Sequence, residues 1–306
     1  MHVSLNGFSA GINLPDALVG ESLHRLPPYA PAEHYRVSDF PAAPREWSRG
    51  DALTATSFVG VKDGSGMWID LTGNQRLDNH VACIPIVQGV NAITALRAAD
   101  HPVLEQYRST CPVHGTAFAG NRHCANCGFD WPGQNYLSSA SNVMMWLDGF
   151  RTKGGNGQPS AETRQFVFTS DTDRGIAAQV IGDARSFDVK LYFFRGPQKP
   201  RPPMRARGGD GMFSLNMSSL ESSSSKSVTR GGERAPEVAA GARIRQDVGL
   251  DPLSVHQYGE LAAVIQVYYV YEDVARQIIG TGRTGEGGLA GLKVGNPSPA
   301  NPHKVY

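Results

Sequence analysis

Short runs rich in β-branched and aromatic residues, broken by Gly, Asp, Asn and Ser, recur from residue 53 to residue 271. Such runs predict strands and the breaks between them predict turns. Leu53 to Val61 and Met67-Trp68-Ile69-Asp70-Leu71 read as two strands joined by Lys62-Asp63-Gly64-Ser65-Gly66, a hairpin signal. His80 to Val90 is a further β-rich run, and Asn91 to Ala99 has room for a single short helix. Val143 to Leu147, Arg164 to Thr169 and Val189 to Phe194 continue the β pattern, while Asp173 to Ile181 reads equally as strand or helical turn. Ala262 to Tyr271 (AAVIQVYYVY) is the strongest strand of the chain. Pro236 suits a first helical position, so Glu237 to Asp247 reads as a short helix, and Glu272 to Ile279 as another that stops at Gly280. The expected fold class is β-rich α+β, an antiparallel sheet body with a zinc-ribbon-like insertion and a small α/β C-terminal unit.

The breaks in this pattern suggest an organisation. Residues 1–50 hold Pro15, Pro27, Pro28, Pro31, Pro41 and Pro44, which exclude long helices and central strands where they stand. This stretch reads as an extended N-terminal arm. Residues 51–196 form the β-rich body, with a cysteine-containing insertion at 105–135. Residues 197–234 combine a basic, proline-rich start with the serine-dominated stretch Ser218 to Ser227, and read as a linker or long excursion. Residues 235–306 form the α/β unit with a Gly- and Pro-rich tail.

Composition narrows the class. The 306 residues include 35 Gly and 20 Pro, too many turn formers for a long-helix bundle or coiled coil. A net charge of +1 gives no broad basic footprint, so a general nucleic-acid binder is not expected. No apolar run approaches the roughly 20 residues of a membrane span, and the start shows no secretory signal pattern. A cytoplasmic chain, or one packaged in an assembled particle, is expected.

The sharpest chemical signal is Cys111-Pro112-Val113-His114 followed by Cys124-Ala125-Asn126-Cys127-Gly128. Each two-residue spacing lets a pair of ligands on a tight turn point at one ion, and Gly128 permits the left-handed turn such knuckles use. A Cys3His set suits Zn2+ in a closed tetrahedron, which leaves no position for water or substrate and marks a structural site. Iron is compatible with a sulfur-rich site, but a histidine among the ligands favours zinc. The stretch resembles a zinc ribbon or rubredoxin-like knuckle pair over about 20 residues, and the resemblance extends no further. His123 is a competing ligand that breaks the symmetric spacing. Cys83, in a β run, reads as a small buried hydrophobe.

Other constellations carry less. Gly280-Thr281-Gly282-Arg283-Thr284-Gly285 fits G-x-G-x-x-G, but a dinucleotide site needs a strand before it and a helix after it. Met67-Trp68-Ile69-Asp70 echoes Met145-Trp146-Leu147-Asp148. If the echoed segments face each other, Asp70 and Asp148 form a carboxylate pair for acid/base chemistry; otherwise each caps a turn. His24, His34 and His80 have no nucleophile or acid at motif spacing. Lys199, Arg201, Arg205 and Arg207 make a basic patch that reads as a solvated linker or as a contact for nucleic acid or an acidic partner. The aromatic runs Tyr192-Phe193-Phe194 and Tyr268-Tyr269-Tyr271 read as core or subunit contact rather than a base-stacking platform. The expectation is a self-assembling structural subunit, a homo-oligomer stabilised by structural zinc. An enzyme built on Asp70 and Asp148, or a zinc-containing adaptor using 199–207, are the alternatives.

Overall fold

The computed structural model describes residues 2–20, 28–153, 161–182, 186–200, 235–246 and 248–281. In chain order its strands are β1 (Val3–Leu5), β2 (Phe8–Asn13), β3 (Tyr35–Arg36), β4 (Thr54–Val61), β5 (Gly66–Asp70), β6 (Asn79–Val87), β7 (Val90–Asn91), β8 (His123–Cys124), β9 (Phe129–Asp130), β10 (Leu137–Ser138), β11 (Trp146–Leu147), β12 (Gly149–Lys153), β13 (Ala161–Thr169), β14 (Asp188–Gln198), β15 (Glu237–Ile244) and β16 (Leu261–Tyr271). The α-helices are α1 (Ile176–Ile181) and α2 (Glu272–Gly280). One sheet runs β1-β2-β5-β13-β12, with β11 added to β5 and β15 to β13. The other runs β10-β6-β14-β16-β4-β3, with β7 added to β6. The β16–β4 ladder is parallel and the other described ladders are antiparallel.

The two sheets pack as a sandwich because alternate residues from both enter one core. Phe8 and Ile12 of β2, Met67 and Ile69 of β5, and Phe166 and Phe168 of β13 meet Cys83, Val189, Leu191, Phe193, Ile265 and Tyr269 from the other sheet. Phe8 stacks on Phe193 at 5.0 Å and Phe168 meets Tyr269 edge-on at the same separation. The second sheet is covered on its outer face too. Tyr268, Val270 and Phe58 pack under Ala275 and Ile278 of α2 together with Val37 and Phe40. Ala82, Ile84, Ile86 and Phe194 pack against Tyr136 and Tyr258. Burial on both faces explains why β16 reads as a nearly unbroken apolar run instead of alternating.

Several expected elements take a different form. Leu53–Val61 and Met67–Leu71 contain the predicted strands, but these do not pair as a hairpin. The turn after Val61 carries the chain from β4 in the second sheet to β5 in the first. A turn signal marks a reversal of direction and is silent on whether the flanking strands bond to each other or face across a core. Glu237–Ile244 is a strand, not a helix, because pairing with β13 (Val238 opposite Phe168) overrides the local helix preference of its alanines. Asp247 lies outside the described residues. Residues 235–281 therefore build no sheet of their own: β15 joins the first sheet and β16 is central to the second. The N-terminal arm is also more than an extension, since β2 lies between β1 and β5 with Phe8, Ala10 and Ile12 in the core. Its prolines begin only at Pro15, after that hairpin. Asn91–Ala99 forms turns around a left-handed Ala95 in place of a helix.

Asn74 ties β2 to the turn after β5. It is fully buried. Its Oδ1 accepts from Ser9 N–H, and its Nδ2 donates to Ser9 O and Leu71 O at 2.7 and 2.9 Å. Asn74→Ala should cost roughly 2–4 kcal/mol, because Ser9 N–H and Ser9 O lose this partner and Leu71 O keeps only the Asn74 backbone N–H. Urea denaturation should show a lowered midpoint with an unchanged slope.

Candidate metal centre

Cys111, His114, Cys124 and Cys127 converge. One ligand-type atom from each lies within 4.8 Å of all the others, and this is the one such group among the described residues. His114 Nδ1 stands 3.6 Å from both Cys111 Sγ and Cys124 Sγ. A tetrahedral zinc with bonds of about 2.3 Å to sulfur and 2.0–2.1 Å to nitrogen has an S···N edge of about 3.6 Å. These two edges match a tetrahedral ion.

Two equivalent backbone turns bring them there. In the first, Gly115 N–H donates to Cys111 O at 2.8 Å; in the second, Gly128 N–H donates to Cys124 O at 2.8 Å. Both glycines are left-handed, with φ of 65° and 62°. A glycine four residues after the first cysteine of each pair is thus the backbone half of the knuckle. The short hairpin β8–β9 carries the second turn, and Cys111 N–H donates to Thr116 O to close the first. Cys111 and Cys124 are buried among Tyr107, Phe129 and Trp131, Cys127 is half-buried and His114 is exposed.

The thiols are prepared unequally. Burial alone would raise Cys124, but the Cys127 backbone N–H, the Thr116 hydroxyl and the Cys127 and Cys111 thiols oppose it and bring it down to about 5. Thr116 Oγ1 lies 3.7 Å from its sulfur. Cys127 is raised, chiefly by burial. A thiolate held at Cys124 is the form a metal takes up.

The neighbours resolve the open points. His123 turns away from the cluster, with Nδ1 2.7 Å from Asp130 Oδ1. Cys83 sits in the sandwich core, where burial holds its thiol well above the ordinary range. One arginine docks the lobe onto the first sheet and a second braces the lobe internally. Arg151 on β12 donates to Asp130 O at 2.8 Å and lies 5.8 Å from the Phe129 ring centre, and Arg122 Nε donates to Trp131 O.

The echoed segments do lie side by side, with Trp146 opposite Asp70 and Leu147 opposite Ile69. The carboxylates have separate roles. Asp70 caps its turn, accepting from Thr72 N–H and Oγ1 at 2.9 and 2.7 Å, with His2 at 3.6 Å. Asp148 is buried with Oδ2 unpartnered, and burial raises its carboxyl to about 7. His34 is a packing histidine: it accepts from Ile12 N–H, contacts Ser57 Oγ, and is lowered to about 4, first by burial. Burial likewise lowers His80. Lys199 donates to Gln75 O at 2.7 Å. His24, Arg201, Arg205, Arg207 and residues 282–285 of the glycine motif lie outside the described residues. Phe193 and Tyr269 of the aromatic runs belong to the core. No helix among the described residues is long and apolar enough to cross a membrane.

Comparison with protein-family models, curated proteins and solved structures yields no match.

Proposed function

We propose that this chain is a structural, self-associating subunit whose metal lobe is held in shape by zinc. The observation that supports this reading is the complete Cys3His ligand set, compact enough to surround one ion with protein atoms. A four-ligand shell gives the metal no position for substrate, so its work is to organise residues 105–135 in the manner of a zinc ribbon. By composition the segments 201–234 and 282–306 offer few apolar residues for their length. Association with neighbouring copies, in a particle, tube or filament, supplies the missing surface.

Phe8, Ala10 and Ile12 are core residues, so deleting residues 1–45 would dismantle the first sheet and test folding, not assembly. The informative truncation ends the chain at residue 284. Full-length, metal-loaded protein should sediment as an oligomer at micromolar concentration, and the truncated chain should sediment as a smaller species with the same metal content. Monomers for both across that range would retire the assembly reading.

A further inference from the structure

Where the metal lobe meets the first sheet there is a cleft of about 210 Å3. Arg122 and Arg151 enter its lining, together with Thr163, Gln246, Gly133 and Gly149. Among the described residues no carboxylate lines it. The two arginines are 29 positions apart in sequence and meet because Arg122, at the start of the β8–β9 hairpin, is held to Trp131 O while Arg151 is held to Asp130 O.

The polar groups here are biased toward donation. Arg151 Nε is buried and has no hydrogen-bond partner. Among the described residues neither arginine makes an ion pair; the nearby Asp130 carboxylate is taken by His123. Gln246 Oε1 accepts from the backbone N–H groups of Asp148 and Gly149, so the capacity its amide has left is that of a donor. Two guanidiniums sharing one cleft beside Ile93, Leu147 and Val248 repel each other, and Asp130 opposes this at Arg151. A ligand with two or more anionic oxygens would relieve that repulsion and satisfy the orphan N–H.

We propose that this cleft binds a small oxyanion, a phosphate or carboxylate group, between Arg122 and Arg151. The site is distinct from the metal centre and is independent of the assembly reading. Its volume admits a group of a few heavy atoms.

Isothermal titration of the full-length, metal-loaded chain with inorganic phosphate tests it, at fixed pH and ionic strength with chloride as the reference. Acetate and sulfate in parallel titrations separate carboxylate from tetrahedral oxyanions. Saturable binding at one site per chain is expected, weakened about tenfold or more in Arg122→Gln and in Arg151→Gln. Arg151 also supports the lobe, so Arg122→Gln, checked for unchanged metal content, decides the location if the other variant misfolds. Absence of saturable binding of all three anions by the unmodified chain overturns the proposal. So does an Arg122→Gln variant that binds as tightly as the parent.

Discussion

Removal of the metal should unfold residues 105–135 and leave the sandwich standing. The lobe's buried apolar residues are Tyr107, Cys111, Cys124, Phe129 and Trp131, and two of these five are themselves ligands. Its regular structure is a hairpin of two-residue strands. A unit this small does not offset its chain entropy by burial alone, whereas structural zinc contributes on the order of 10–16 kcal/mol in small zinc-binding peptides. The sandwich core draws on both sheets and contains none of the ligands. Purified protein should therefore hold about one zinc per chain by elemental analysis. Cys124→Ser should lose it, because the thiol most readily ionised is gone. Amide hydrogen exchange should then show lost protection at 105–135 with β6, β14 and β16 still protected. Stoichiometric metal in a Cys111→Ser/Cys124→Ser double variant would mean that the ligand assignment is wrong.

The convergence of Cys111, His114, Cys124 and Cys127 was legible because it is local: two turns, each encoded within five residues, carry both the side chains and the glycines. The strands were legible for a similar reason, since a run such as Val189 to Phe194 needs only its own composition to declare itself. Pairing is a different kind of information. Whether β4 bonds to β5 or faces it across a core depends on partners far along the chain, β16 for one and β13 for the other. The sequence of β15 prefers a helix locally and becomes a strand only because β13 presents an open edge. Proline content averaged over residues 1–50 concealed a core strand at its proline-free start. The Arg122–Arg151 cleft has no sequence signature, because it exists only once the metal lobe has docked on β12. The echo between residues 67–70 and 145–148 did reveal a real juxtaposition, yet it treated the two aspartates as equals. Tertiary burial, not the repeat, separates the turn cap Asp70 from the isolated Asp148.

Asp148→Asn should stabilise the protein at neutral and alkaline pH. The carboxyl is 1% exposed, with Oδ2 unpartnered, and burial is the cause that lifts it from its usual 3.8 to about 7. Between those values the folded protein holds a proton that the unfolded chain has released. Stability contributed at this site therefore falls as pH rises from about 4 to about 7 and is flat above, the reverse of a salt-bridged carboxylate. The full difference amounts to no more than about 4 kcal/mol at about 1.4 kcal/mol per pH unit. Asparagine keeps the shape and never ionises. Denaturation midpoints of the two proteins should nearly coincide near pH 4 and diverge steadily up to pH 7, with the variant the more stable and its pH dependence flatter. The same measurement bears on the catalytic alternative. A carboxylate kept charged for chemistry would have a partner that its loss exposes, and the variant would then be the less stable protein at pH 8. A gain at pH 8 instead marks Asp148 as a carboxyl whose ionised form the fold disfavours, not one held charged to work with Asp70.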